Sequence, residues 1–165
     1  MRAATLCLML LLAWPAVAVE RVVSLAPSLT EIMLELDAGD LLVGLLDGGE
    51  RPPAVAQLPS VGRYGQLELE SLLQLQPDLV LLWPDSIGSA QRQQLQRLGI
   101  PLLIVEPRKL ADLAKNFVEI GTRVGRAEQG RQLQRKFNAG LAELRRRYRR
   151  EQPLALFYAD FFKRD

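Results

Sequence analysis

The sequence predicts an α/β domain in which helices cover a parallel sheet. Short, wholly apolar runs rich in Val, Ile and Leu alternate with segments whose apolar positions recur every three or four residues. Gly and Pro punctuate the alternation, which continues from residue 21 to residue 124. Strands apolar on both faces fit a sheet buried on both sides.

The elements follow in order. Residues 21–25 (RVVSL) predict the first strand. Ser28 and Glu31 have the S-x-x-E spacing of a capping box, in which the serine satisfies a free helix N–H and the glutamate reaches back to the cap. Ile32, Leu34 and Leu36 continue that helix, and Gly39 is the expected stop. Residues 41–45 form the next strand. From 46 to 67 the pattern breaks into a polar connection, DGGERPP followed by SVGRYGQ, of the length at which loops are often binding loops. A short helix over 68–75, a turn at Pro77-Asp78, a buried strand over 79–83, a helix over 89–98 closed by Gly99 and a strand over 101–105 complete the α/β pattern.

The last third is helical. Residues 110–124 predict an amphipathic helix ending at Gly125, and residues 128 to about 150 a second one, about 35 Å long at 1.5 Å per residue. Leu133, Phe137, Leu141 and Leu144 form its apolar stripe, while Gly130 and Gly140 should weaken it. Pro153 stops it, and residues 154–158 read as one more strand. The expected division is therefore a leader over 1–18, an α/β lobe over 19–126, a long helix over 127–152 and a strand-bearing segment over 153–165.

Arg2, the apolar stretch 6–14 and Ala16-Val17-Ala18 have the form of a cleavable secretory leader, and the stretch is shorter than the ~20 residues a membrane-crossing helix needs. A soluble exported chain starting near Val19 is expected. Its one cysteine, Cys7, lies within the leader, leaving no thiol for a disulfide. The chain has no histidine, which removes imidazole or thiolate metal sites and any nucleophile served by a histidine base. No G-x-S-x-G elbow or glycine-rich phosphate loop is present, so neither a catalytic residue nor a metal site is expected. A paired-carboxylate mechanism using residues such as Asp47 and Glu50 stays open beside the reading of those residues as a solvated loop. The formal charge of +2 is too balanced for nucleic-acid binding. The basic run 145–150 (RRRYRR) reads as a solvated helix end, where cations are favoured.

RVVSLAPSLTEIMLELDAGDLLVGL, the RPP after the loop, SVGRYGQLELESLLQLQPDLVLLW and LGIPLLIVEP, in this order and spacing, resemble the cobalamin-binding periplasmic proteins of ABC importers. That family lies within a wider group of receptors for cobalamin, haem and ferric siderophores. The resemblance runs to about Tyr158, and ADFFKRD departs from it. It implies two α/β lobes joined by a long rigid helix, with ligand held between them. This chain would supply the first lobe, the connecting helix and the first strand of a second lobe that is otherwise absent.

In open α/β sheets ligands sit beyond the carboxyl ends of the strands. By the resemblance, Pro27, Ser28, Asp47, Gly48, Tyr64 and Trp83 are the ligand-binding candidates, with Trp83 and Tyr64 as aromatic planes against a corrin ring and Gly48 where relatives also carry an aromatic. Trp83 can also be read as the end of a buried strand, and Ser28 as a helix cap. Glu70 matches a glutamate that such receptors present to arginines of the membrane permease, and a carboxylate in the first turn of a helix is also favoured by the dipole alone. No cofactor is implied beyond transported cobalamin. The implied partners are cobalamin or a related corrinoid and an ABC permease of the inner membrane, without nucleic acid, for a monomer located in the periplasm. A haem or ferric-siderophore receptor of the same fold, with Tyr64 as a phenolate ligand to iron, is the alternative. A secreted α/β enzyme is the third reading.

Overall fold

A computed structural model describes residues 18–149. Its elements are β1 (Val22–Ser24), α1 (Pro27–Glu35), β2 (Leu42–Asp47), β3 (Ser60–Arg63), β4 (Gln66–Leu67), α2 (Leu69–Gln74), β5 (Leu79–Leu82), α3 (Ser89–Arg97), β6 (Leu102–Ile104), α4 (Leu110–Arg123) and α5 (Ala127–Arg147). The six strands form one sheet in the order β4-β3-β2-β1-β5-β6, parallel throughout except for the antiparallel pair β3 and β4. This is the expected α/β architecture.

Alternation along the central strands places two cores on opposite faces. Val22, Leu79 and Leu81 pack with Leu29, Met33, Leu36, Phe117 and Ile120, beneath α1 and α4. Val23, Leu25, Val80 and Leu82 pack with Val61, Leu72, Ile87 and Leu95, beneath α2 and α3. Consecutive residues of β1 and β5 are thus buried on both sides, which is why their sequences read as unbroken apolar runs.

The edges of several elements differ from expectation for local reasons. Helix α1 starts two residues earlier than a Ser28 cap requires. Ala26 is the extended N-cap and Pro27 occupies the first turn, where its fixed φ and missing N–H carry no penalty, and no side-chain cap bond forms. Ser28 is therefore neither cap nor part of a capping box. The turn into α1 is tied instead by buried Ser24 and Thr30: Thr30 Oγ1 donates to Ser24 Oγ at 2.9 Å, which donates to the Ala26 carbonyl at 3.1 Å. At the other end Asp37 takes the left-handed conformation (φ 52°), and Gly39 opens a short 3-10 turn over Gly39–Leu41. Arg126 Nε donates to the Asp37 carbonyl at 3.1 Å, fastening this corner to the junction of α4 and α5.

The largest departure lies in the connection expected to be irregular. SVGRYGQ forms the hairpin β3–β4, and residues 53–55 add a 3-10 turn, so the long loop contracts to residues 48–59 with an edge strand beyond it. Gly62 in this hairpin has φ 116°, and a Cβ there would lie 2.2 Å from the Gln66 carbonyl oxygen and 2.9 Å from the Glu68 nitrogen.

Helix α5 has 21 residues, about 32 Å, and stops at Tyr148, short of the expected 152. Arg145, Arg146, Arg147 and Arg149 crowd like charge at this end. They are exposed, and Arg147 stacks over Tyr148 at 5.6 Å. Gly130 does not act as a weak point. It is buried, and a Cβ there would meet the Phe117 carbonyl oxygen at 2.5 Å and Val118 Cα at 3.1 Å, while Gly121 of α4 approaches Gly130 in return. The two helices cross backbone to backbone at this pair. Phe117 and Phe137 close the same crossing edge to face, with centroids 5.5 Å apart. Among the described residues no helix is long and apolar enough to cross a membrane. The expected leader and the expected strand over 154–158 lie outside the described residues.

Candidate functional site

The strand order defines where a site can form. From β1 the chain moves outward through β2, β3 and β4, then returns to β5 on the other side of β1. The loops leaving β1 and β5 therefore diverge at their carboxyl ends and leave a crevice between them. An open cavity of about 410 Å³ occupies that crevice, lined by Ala26, Pro27 and Ser28 after β1, by the run Trp83 to Ser86 after β5, by Glu106 after β6 and by Tyr64 from the β3–β4 turn.

Four of the six residues expected at a ligand site thus meet at one cavity. Pro27 and Ser28 are exposed at its floor, since the early start of α1 puts both on the first turn. Tyr64 is 62% exposed at the tip of the hairpin, held by its amide donating to the Asp47 carbonyl at 3.2 Å. Trp83 combines its two sequence readings. It packs against the core beneath α1 and α4, yet also lines the cavity. Its indole N–H is buried and meets no acceptor among the described residues, so the ring surface facing the cavity is carbon rather than N–H. Such a wall favours stacking over hydrogen bonding.

Backbone and side-chain bonds join these loops. Ser86 N–H donates to the Trp83 carbonyl at 3.1 Å, closing a turn with Pro84 at its second position, and the Trp83 amide donates to Ser86 Oγ at 3.1 Å. The Gly65 amide donates to the Ser86 carbonyl, also at 3.1 Å.

Asp47 and Gly48 do not join the cavity. Asp47 turns toward its own loop, where its carboxylate accepts from Ser60 Oγ at 2.6 Å and from Arg51 Nε at 3.0 Å. Gly48 lies in a separate narrow recess with Pro27, Thr30 and Pro52. Proximity to the carboxyl end of β2 pointed to both, but the ion pair with Arg51 was not visible in the spacing. Glu106 was not singled out from sequence, although it lies two residues beyond the carboxyl end of β6, just as Trp83 and Pro84 follow that of β5. Its carboxylate pairs with Arg108 at 2.9 Å.

Hydrogen bonds from Ser60 and then Arg51 hold the Asp47 carboxyl below the usual carboxylate range. A lowered pKa in the fold means that the ionised form is the one the fold stabilises. That contribution is complete above about pH 4 and is lost as the pH falls through the folded-state value. The carboxylate is half exposed, so solvent screens the effect. Asp47→Asn is expected to lower stability by under about 1 kcal/mol at pH 7 and to leave stability at pH 3 nearly unchanged, as read from urea midpoints at the two pH values.

Glu70 lies apart from the cavity. It is exposed in the first turn of α2 and has no side-chain hydrogen bond or ion pair among the described residues. Its neighbour Glu68 is engaged, accepting from Ser71 Oγ at 3.1 Å.

A switch-point cavity at one end of a helix-covered parallel sheet, followed by a long solvent-flanked helix, is the build of a solute-binding lobe. The chain belongs to the periplasmic binding protein family, whose pattern residues 22–163 match. That match continues past Tyr158, where the resemblance was expected to end. Over 156 residues the chain is 34% identical to the vitamin B12-binding proteins of Yersinia pestis and Yersinia pseudotuberculosis, covering 94% of this chain and 56% of theirs. It therefore spans about half the length of these curated relatives. The crystal structure of a periplasmic vitamin B12 binding protein of Vibrio cholerae superposes with a TM-score of 0.75 at 30% identity, over 82% of this chain and 53% of that one. A periplasmic haem-binding protein of Pseudomonas aeruginosa gives 0.71 at 27% identity, over 76% and 45%. These relatives are binding proteins rather than enzymes.

Proposed function

We propose that this chain forms one wall of a periplasmic receptor that binds a corrinoid such as cobalamin and delivers it to an ABC importer. The observation that carries this reading is the meeting of Trp83 and Tyr64, with Pro27 and Ser28, on one open cavity at the switch point of the sheet. A corrin ring is large, flat and partly apolar, and it carries neutral carboxamides at its edge. An indole that presents carbon and an exposed phenol ring suit the flat face of such a ligand. Asp85 on the cavity rim has no ion-pair partner among the described residues and would oppose the carboxylates of an anionic ligand such as haem.

At about 410 Å³ and open to solvent, the cavity encloses only one side of so large a ligand. The opposite wall would come from the part of the relatives' length that this chain does not match, with α5 as the link between lobes. Export through a cleavable leader belongs to the same proposal. Glu70, exposed on α2 and without an ion pair among the described residues, is the proposed contact with permease arginines.

The test is calorimetric titration of cyanocobalamin, with haemin in parallel, into this chain and into a chimera that continues α5 with the remaining length of the Yersinia relative. Tight cyanocobalamin binding by the chimera and weak binding by the chain alone are expected. Trp83→Ala in the chimera should weaken binding by about 2 kcal/mol, or about thirtyfold, while Tyr64→Phe should change it little, because stacking survives loss of the hydroxyl. A folded chimera that takes haemin and ignores cyanocobalamin, with haemin binding abolished by Tyr64→Phe, would replace the corrinoid by an iron ligand.

A further inference from the structure

The two aromatic walls of the cavity belong to loops far apart in sequence. Tyr64 sits on a hairpin at one side of the sheet, whereas Trp83 leaves β5 on the other side of β1. Packing between the rings does not explain their common placement, since Tyr64 is largely exposed. The link runs through Ser86. This serine is fully buried, and each of its polar heavy atoms has a partner: its N–H donates to the Trp83 carbonyl, its Oγ accepts from the Trp83 amide and its carbonyl accepts from the Gly65 amide. The first two bonds clamp the Trp83 turn upon itself. The third attaches the residue next to Tyr64 to that same turn.

We infer that Ser86 is a positioning residue that fixes the Trp83 loop and the Tyr64 loop to one another, and so sets the separation of the cavity's two aromatic walls. A serine suits the position. Its hydroxyl oxygen accepts from a backbone N–H three residues back, a short-range side-chain-to-backbone bond that serine and threonine can both make. Loss of the hydroxyl would leave the Trp83 amide without its partner in a water-poor setting, and the turn would have to open to satisfy it. Opening the turn carries the Ser86 carbonyl away from Gly65 and leaves the hairpin tip tied to the body of the lobe only through the Tyr64 amide and the Asp47 carbonyl.

The bearing of this on binding rests on the corrinoid reading above, while its effect on the two loops does not, and the experiment separates them. Amide hydrogen exchange is measured on the full chain without ligand. In the unsubstituted chain the amides of Trp83 and Gly65 should both be protected, although each lies outside the regular strands. Ser86→Ala should accelerate exchange at both by about tenfold, matching one lost hydrogen bond, whereas Ser86→Thr, which keeps the hydroxyl, should retain slow exchange at Trp83. Cyanocobalamin affinity of the chimera should fall with Ser86→Ala and recover with Ser86→Thr. Unprotected Trp83 and Gly65 amides in the unsubstituted chain would overturn the inference even if Ser86→Ala failed to fold. So would acceleration at Trp83 alone, because the hairpin would then be held by something else. Coupled acceleration in a chain whose chimera ignores cyanocobalamin would leave Ser86 in its role and remove the corrinoid.

Discussion

Gly130→Ala is expected to destabilise the protein by about 2 kcal/mol, and Gly140→Ala in the same helix to stabilise it by about 0.5–1 kcal/mol. Helix propensity alone predicts a gain for both, because alanine loses less conformational freedom than glycine on entering a helix. The surroundings reverse the sign at one site only. A Cβ on Gly130 would lie 2.5 Å from the Phe117 carbonyl oxygen and 3.1 Å from Val118 Cα, both backbone atoms that move only with the whole of α4. A Cβ on Gly140 would meet no atom within 4 Å among the described residues beyond its own turn of helix. Separating α4 from α5 would also loosen the edge-to-face contact of Phe117 with Phe137 and part of the core on that face. Urea denaturation of the two variants beside the parent checks the pair, and equal shifts of the same sign would show that the helices do not cross at Gly130.

Gly62→Ala should have the larger structural effect, about 3 kcal/mol or more. Two penalties coincide. The residue holds φ 116°, a conformation that side-chain-bearing residues rarely adopt, and its Cβ would stand 2.2 Å from the Gln66 carbonyl oxygen across the hairpin. The pairing of β3 with β4 is only two residue pairs long and has no reserve with which to absorb the clash. Because Tyr64 sits between those strands, the variant should lose the hairpin and with it the aromatic rim. Far-UV circular dichroism and urea midpoints read the first effect. Exchange of the Tyr64 and Gly65 amides reads the second, and a variant of parental stability with both amides still protected would refute the assignment of β3 and β4.

Much of the fold was legible because it depends on burial from two sides, which writes itself into consecutive residues. Val22-Val23 and Leu79 to Leu82 could hardly be anything but central strands. The hairpin was not legible for the converse reason. Ser60–Arg63 is a strand of four residues with two of them exposed and a glycine inside it, and its edge partner Gln66–Leu67 has only two residues, so neither apolar run nor regular alternation marks them. Ser28 was misread because a capping motif is a local pattern and Pro27, one residue earlier, satisfies the start of α1 better. Gly130 was misread because propensity describes a helix alone, and what decides its effect is another helix.

The cavity was legible where chain direction settles position. Pro27, Ser28 and Trp83 follow the carboxyl ends of neighbouring strands, so strand order alone brings them together. Asp47 and Gly48 also follow a strand, but their loop folds on itself around Arg51 and Ser60, a choice made by side-chain pairing that no spacing reveals.

The close crossing at Gly121 and Gly130 has a mechanical meaning. Helix α5 is gripped where it crosses α4 at Gly130 and stays packed as far as Phe137, and its tip at Arg147 lies about 25 Å along the axis from the crossing. A tilt of about 5° at the grip would swing that tip by about 2 Å. Whatever the helix carries at its far end is therefore aimed by two glycines, and a single methyl group inserted between them would act as a shim under a lever.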